Sequence, residues 1–224
     1  MKKTWSFLCT LAMALSLFSS HIATVQAGSS GNSVQNFANL VLFVQFADTT
    51  DDFMDALQDY NFKTCTYTEA AIHDYLDTTY PKSLVSYMDT ISYGQFHVNT
   101  YMPQLNGSKI TPIKLQYSRS YYDSWAMIQT AQTEAMDIAV NTASYGIASL
   151  NLDQDGVDGI DNVTFIFAGA EDARGNAFYA HKNNFEGSYK INGKYVGPIN
   201  VLMADTIFKD DTTSTGEIAH EFMH

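Results

Sequence analysis

The chain has 224 residues, and its 24 acidic residues outnumber 12 basic ones, which gives a formal charge of −12. Such a charge argues against nucleic acid and against anionic membranes as partners, because both are negatively charged themselves. The length suffices for one sizeable hydrophobic core, so the sequence predicts a single folded domain behind its N-terminal segment.

The first 27 residues have the order of a secretory signal peptide. Two lysines are followed by an uncharged apolar run, Phe7–Phe18, and a Val-Gln-Ala sequence at 25–27 fits the small-x-small pattern of a cleavage site. The run is too short to span a membrane, although a retained anchor is the alternative. We therefore expect residues 1–27 to be removed and residues 28–38 to form a flexible mature N-terminus. The mature protein is then expected to be secreted and free of the membrane.

Strand and helix patterns alternate along residues 39–224. The nearly all-apolar run Leu40–Phe46 predicts a buried strand, and Asn192-Gly193 between two short strand patterns predicts a hairpin. The other predicted elements are helices over 51–60, 83–91 and 123–141 and strands over 95–101, 163–168 and 200–204. This alternation favours an α/β fold, with α+β as the alternative, built on a mixed twisted sheet with flanking helices.

Four aspartates crowd the segment Asn151–Asn162, which we call the acidic loop: Asp153, Asp155, Asp158 and Asp161. Crowded carboxylates repel one another, and Ca²⁺ takes roughly six to eight oxygens from loops of this kind, with glycine allowing the sharp turn. The spacing imitates the start of an EF-hand, but Asn162 stands where an EF-hand has its last glutamate. The loop predicts a calcium site, with a solvated acidic turn as the alternative. Calcium would reinforce a mature chain whose one cysteine, Cys65, leaves it without an internal disulfide.

The last residues, Ser214–His224, predict a helix. Ser214 precedes Glu217 by three positions, which is the spacing of a capping box. Residues four apart share a row on a helix, and two of its four rows are apolar: Ile218 with Phe222, and Ala219 with Met223. We therefore expect this helix, with its histidines, to be largely buried.

His220 and His224 lie on one row of this helix, four residues apart. At that spacing both imidazoles project toward one point, where zinc can accept a nitrogen from each. Glu221 is rotated by about 100° around the helix axis, so it would lie beside the metal and take a proton from a water molecule whose acidity zinc raises. The sequence thus predicts a zinc site with His220 and His224 as ligands and Glu221 as the catalytic base.

A catalytic zinc normally has a third protein ligand. The upstream candidates in the mature chain are His73, His97 and His181. Each is better explained as an ordinary structural or surface histidine, and in zinc peptidases the third ligand usually follows the helix. We therefore expect the sequence to be the front part of a longer chain, truncated after the zinc helix.

Four stretches, in the same order along the chain, resemble the immune inhibitor A family of secreted bacterial zinc metallopeptidases. They are LVLFVQFAD at 40–48, SLVSYMDTISYGQFHV at 83–98, DGVDGIDNVTFIFAG at 155–169 and GEIAHEFMH at 216–224. The resemblance implies a zincin-like catalytic domain, of the gluzincin or metzincin kind, over residues 39–224. It also implies that His220 and His224 bind zinc and that Glu221 is the general base. The chain departs from the family at Met223, where glycine is usual, and the family's third ligand would lie beyond His224.

The sequence therefore predicts a secreted zinc endopeptidase that hydrolyses proteins or peptides, with the given chain inactive by itself because part of the catalytic domain is missing. A catalytically inactive relative, stabilised by calcium and binding proteins or glycans at a cell surface, is the first alternative. A hydrolase of non-peptide bonds that uses the same zinc chemistry is the second. Attachment to a cell surface would need a region beyond the zinc helix.

Overall fold

The computed structural model describes residues 34–49, 72, 76–77, 83–105, 109–157, 159–172, 176–207 and 214–224. Residues 34–224 form one compact unit. Several predictions lie outside the described residues: the signal peptide over 1–27, residues 28–33 of the flexible terminus, the helix over 51–60, and the side chains Cys65 and His73.

The described residues form strands and helices that alternate along the chain. In chain order the strands are β1 (Gln35–Gln45), β2 (Phe96–Tyr101), β3 (Gln104–Leu105), β4 (Lys109–Ile110), β5 (Ile113–Lys114), β6 (Val163–Phe167), β7 (His181–Asn184), β8 (Lys190–Ile191), β9 (Lys194–Tyr195) and β10 (Pro198–Met203). The α-helices are α1 (Leu84–Ile91), α2 (Trp125–Asn141), α3 (Ala204–Ile207) and α4 (Ser214–Met223), and short 3₁₀ turns lie at Arg119–Tyr121, Ala143–Tyr145 and Ile147–Ser149. No helix in this part of the chain is long and apolar enough to cross a membrane.

A six-stranded sheet organises the described part of the chain, in the order β2-β1-β6-β10-β7, with β5 paired to the end of β1. Its pairs are parallel except the last, β10 with β7. The sheet is thus mixed and mostly parallel, and helices flank it, which confirms the predicted α/β class at this level. β6 and the central residues of β1 are buried throughout, as expected for parallel strands that are covered on both faces.

Helices cover both faces of the sheet. Alternate residues of a strand point to opposite faces, so Leu40 and Leu42 of β1 pack with α2, whereas Val41 and Phe43 pack with α1, α3 and α4. Helix α4 follows β10 and α3 in the chain and contacts both β10 and β7. The antiparallel strand β7 and helix α4 therefore meet at one edge of the sheet.

Local sequence signals account for the start of α1, the start of α2 and the β8–β9 turn. Ser83 caps α1, with its side chain accepting the backbone N–H of Ser86 at 3.0 Å, and Ser124 caps α2 in the same way. Asn192 and Gly193 join β8 to β9 with positive φ angles of 52° and 80°. This geometry confirms the hairpin, because a tight turn of this kind needs positive φ at both central residues.

One prediction about the sheet is wrong, and one strand is not predicted. β1 begins at Gln35, so residues 35–38 belong to a strand and not to a flexible terminus. They are ordered by pairing with β2, which starts at Phe96, and the local pattern does not reveal that partner. The sequence also does not predict β7, because His181–Asn184 is polar and forms a strand through its pairing with β10.

Candidate metal centre

Helix α4 carries the predicted zinc residues and packs on the sheet by its apolar side. It begins at Ser214, where the capping-box spacing predicts a helix start. Ile218, Ala219 and Phe222 are buried, and the Phe222 ring meets the Phe37 ring edge to face, with centroids 5.4 Å apart. This packing fixes which side of α4 faces solvent.

The structure brings His220, Glu221 and His224 together. The Nε2 atoms of the two histidines are 2.8 Å apart, and a carboxylate oxygen of Glu221 lies 4.0 Å from Nε2 of His220. One ligand atom from each residue lies within 4.8 Å of the others. Since zinc binds an imidazole nitrogen at about 2.0–2.1 Å, one ion can reach both nitrogens. The donor set therefore fits zinc, with His220 and His224 as the residues that would hold it.

The burial of α4 differs from the prediction. The His220 side chain is 63% exposed, His224 is also exposed, and Met223 is 49% exposed although the sequence predicts it in the core. The side of α4 that packs on the sheet is narrower than the apolar rows indicate, so residues beside it meet solvent. Glu221, in contrast, is only 7% exposed. The histidine pair is thus accessible to water and to a substrate, while the carboxylate next to it is enclosed.

Two side chains of β7 lie close enough to Glu221 to respond to its charge. Lys182 donates from Nζ to the backbone carbonyl of Phe222 at 3.1 Å; burial lowers the pKa of Lys182, and the Glu221 charge opposes this shift. Burial also lowers the pKa of His181. A hydrogen bond between its Nδ1 and the Tyr179 carbonyl, at 2.8 Å, and the charge of Glu221 oppose this shift. Glu221 therefore lies near a lysine and a histidine of the edge strand.

His97 and His181, the two upstream candidates that the structure describes, do not join the pair on α4. His181 packs against Trp125, with ring centroids 5.1 Å apart, and His97 lies on β2 at the opposite edge of the sheet from β7. Among the described residues, the cluster around His220 contains neither of them. Their placement agrees with the interpretation of both as structural or surface histidines.

A pair of carboxyl groups, Glu217 and Glu171, lies on α4 and in the loop after β6. The two groups are hydrogen-bonded to each other, and burial, the charge and hydrogen bond of Glu171, and the Glu221 charge together raise the pKa of Glu217 to about 7. Glu171 also accepts the backbone N–H of Ala180, one residue before β7, at 2.9 Å. Sequence reasoning missed this pair because its members are far apart in the chain and belong to no common motif. The pair thus gives the helix of the zinc residues a carboxyl group whose pKa is raised to about 7.

The acidic loop also gathers metal-ligating groups. Three of the four predicted calcium residues, Asp153, Asp155 and Asp161, have carboxylate oxygens within 4.8 Å of one another. Asp158 lies outside the described residues. Gly156 turns the chain with a φ of 74°. A set of carboxylate oxygens on a turning loop suits calcium better than zinc.

Protein groups satisfy the same carboxylates. Asp161 accepts the backbone N–H groups of Ala38 at 2.6 Å and Gln154 at 3.0 Å, and burial raises its pKa against these hydrogen bonds. Lys194 places Nζ 2.7 Å from Oδ2 of Asp153. The geometry of the loop is therefore compatible with both interpretations of the sequence, a calcium site and an acidic turn without metal.

Comparison with known proteins gives no family assignment. No protein-family model matches the chain, and no curated protein matches it either. The resemblance to immune inhibitor A peptidases thus stays a prediction from the sequence, and the residues of α4 and its neighbours are the basis for inferring function.

Proposed function

We propose that the protein is a secreted zinc endopeptidase of the immune inhibitor A kind, with a zincin-like fold. The observation that carries the proposal is the pair of imidazole nitrogens of His220 and His224, 2.8 Å apart on the solvent side of α4, with the Glu221 carboxylate beside them. Two imidazoles and an adjacent carboxylate at this spacing are typical of catalytic zinc sites. When bound, zinc supplies a Lewis acid that polarises a carbonyl group and makes water more acidic.

Glu221 is the general base in this proposal. Its side chain lies 4.0 Å from Nε2 of His220, so it borders the site while the imidazoles serve as ligands. From there it accepts a proton from the attacking water and passes the proton to the departing amine. Because Glu221 is only 7% exposed, its carboxylate is confined by its surroundings, which keeps it within reach of the reacting groups.

The neighbouring edge strand supports a peptide as the substrate. Among the described strands, β7 pairs on one side only, with β10, and it contacts α4. The free edge of a strand presents backbone N–H and C=O groups that can pair with an extended chain. A protein or peptide bound along β7 would run close to the solvent-facing histidines, where its backbone carbonyl could be attacked.

Three further parts complete the proposal. A catalytic zinc needs a third protein ligand besides the pair on α4, so the pair by itself would hold zinc weakly. The N-terminal segment directs secretion. Calcium stabilises the acidic loop, which is supported by the three carboxylates of Asp153, Asp155 and Asp161 within 4.8 Å of one another.

A second function, binding of proteins or glycans at a cell surface without catalysis, is favoured by a different observation. Among the described residues, the cluster on α4 holds two imidazoles and a carboxylate but no third imidazole or cysteine. A catalytically inactive relative of the same fold, stabilised by calcium, would present such an incomplete site. Digestion of casein by the full-length protein separates the two functions, and it also excludes a hydrolase restricted to non-peptide bonds.

The decisive variant is Glu221→Gln in the full-length protein. Gln keeps the size of Glu but cannot accept a proton, so we expect casein digestion to fall by roughly 100- to 10,000-fold with the zinc content unchanged. The exposed Glu186→Gln is the matched control and should digest casein like the wild type. A Glu221→Gln variant with near wild-type activity would contradict the role of Glu221 and remove the mechanism of the proposed peptidase.

A further inference from the structure

A row of buried polar side chains crosses the face of the sheet that α1, α3 and α4 cover. The row consists of Asn39, Asn162, Thr164 and Asn200, from β1, the residue before β6, β6 and β10, and each is at most 2% exposed. Asn162 Nδ2 donates to Asn39 Oδ1 at 2.8 Å, and Thr164 Oγ1 donates to the same oxygen at 2.8 Å. Burying polar groups is unfavourable unless they are hydrogen-bonded, so a row of four on one face of the sheet calls for a reason.

The polar row ends on the backbone of α4. With its amide oriented to satisfy its neighbours, Asn200 donates to the backbone carbonyl of Glu221 at 3.2 Å and accepts from Asn162 Nδ2 at 3.3 Å. Lys182, which is paired with Asn200 across β7 and β10, donates to the carbonyl of the next residue, Phe222, at 3.1 Å. A carbonyl oxygen has two lone pairs, so each of these two carbonyls can accept a side-chain donor.

The two carbonyls belong to the residues directly after His220 in the zinc sequence. The adjacent strands β7 and β10 thus each donate one side-chain hydrogen bond to a backbone carbonyl of the helical turn that carries the predicted zinc residues. Apolar packing resists separation of a helix from a sheet but is non-directional, whereas hydrogen bonds depend on direction. These two bonds therefore restrict the rotation and sliding of α4, which apolar contacts alone would restrict less.

We propose that Lys182 and Asn200 are positioning residues for the metal helix, fixing α4 so that His220 and His224 are presented as a pair with Glu221 beside them. This inference rests on the proposed zinc peptidase function. Lys182 also places its positive charge near the Glu221 carboxylate, in addition to its hydrogen bond to the helix backbone.

Lys182→Met in the full-length protein tests the inference, because Met keeps much of the apolar stem and removes the donor and the charge. Supporting groups around metal ligands typically contribute roughly 10- to 100-fold to metal affinity. We expect Lys182→Met to weaken zinc binding by a factor in that range, measured by competition with a chelating dye. We also expect it to alter the visible spectrum of the cobalt-substituted protein and to lower kcat for casein with little change in KM.

Two companion variants and one control separate positioning from general stability. Lys182→Arg keeps a donor and a charge, so it should restore most of the zinc affinity and the cobalt spectrum. Asn200→Ala removes the bond to the Glu221 carbonyl and should alter the cobalt spectrum in its own right. Lys114→Met, at an exposed position of β5, should match the wild type in every measurement.

The outcomes distinguish this inference from the proposed function. Suppose that the wild type binds zinc, and that Lys182→Met and Asn200→Ala bind it with the same affinity and have the same cobalt spectrum. This result would overturn the positioning role alone, even if both variants melted at a lower temperature. A wild-type full-length protein that binds no zinc would overturn the proposed function and the positioning role with it.

Discussion

Helix α4 and the acidic loop each gather three metal-ligating residues, yet different groups surround them. In both places one ligand atom from each of the three residues lies within 4.8 Å of the others. In the loop, backbone N–H groups and Lys194 bind the carboxylates. On α4 the described hydrogen bond of the His220 ring is with the His224 ring. Ligand atoms that lie close together are therefore weak evidence for a metal. Whether protein groups already form hydrogen bonds or ion pairs with those atoms is more informative.

Burial separates the two regions further. Asp161 is 4% exposed and binds the backbone of β1 through Ala38, whereas the His220 side chain is 63% exposed. The loop thus contributes to the fold whether or not it holds calcium, and the exposed pair on α4 is positioned to act on molecules in solution. Substitutions in the loop should mainly lower stability, and substitutions of the histidines should mainly lower metal content.

The largest expected effect on stability is at Asp161. Asp161→Ala leaves the N–H groups of Ala38 and Gln154 without their acceptor, and a hydrogen bond to a charged group contributes roughly 1.5–3 kcal/mol. We expect the free energy of unfolding to fall by about that amount or more. Asp155→Ala is the matched control, because in the described part of the loop the Asp155 carboxylate accepts the nearby backbone N–H of Val157. It should lower the free energy of unfolding by less. Urea unfolding of the three proteins measures the difference, and an Asp161→Ala variant as stable as the wild type would show that the loop does not anchor β1.

The same proteins show whether calcium strengthens the loop. A cation that binds only the folded state raises the melting temperature by mass action. The wild type should therefore melt higher with calcium than with a chelator, and Asp155→Ala should lose most of that response. Equal melting temperatures with and without calcium would favour an acidic turn without metal. The loop and α4 would then differ more clearly, since only α4 would be a candidate metal site.

A smaller effect is expected from Glu217. Its pKa in the folded protein, about 7, is above its ordinary value of 4.5, so between these values the folded state binds more protons than the unfolded state. The contribution of this group to stability is therefore fully present below the ordinary pKa and is lost as the pH rises to about 7. In the metal-free protein, the stability of Glu217→Gln minus that of the wild type should therefore be larger at about pH 8 than at about pH 5. Melting temperatures at the two pH values measure this, with Glu186→Gln as the exposed control. Parallel behaviour of Glu217→Gln and the wild type would contradict the raised pKa of Glu217.

Local patterns predict much of this fold and of the residues on α4, but not their surroundings. The apolar run of β1, the helical spacing in α2 and the Asn192-Gly193 turn are each encoded within a few residues, so the sequence reveals them. Strand β7 is polar and depends on its partner β10, which no local pattern can show. The polar row on the sheet likewise joins side chains more than a hundred positions apart, such as Asn39 and Asn162.

Exposure on α4 illustrates a different limit of sequence reasoning. The spacing of apolar residues shows which positions share a side of a helix, but not how much of the circumference the sheet covers. For that reason the sequence predicts a buried Met223 and buried histidines, and the structure exposes them. The error strengthens the contrast between α4 and the acidic loop, since an exposed histidine pair is accessible to a metal and a substrate.

The central claim is that the histidine pair on α4, and not the acidic loop, holds zinc. The most direct measurement is the zinc content of the full-length wild type, of a His220→Ala, His224→Ala double variant, and of an Asp153→Ala, Asp155→Ala double variant as the loop control. We predict about one zinc per chain in the wild type and in the loop variant, since catalytic zinc sites usually hold a single ion, and none in the histidine variant. Zinc content that is unchanged in the histidine variant, or lost in the loop variant while that variant remains folded, would contradict the claim.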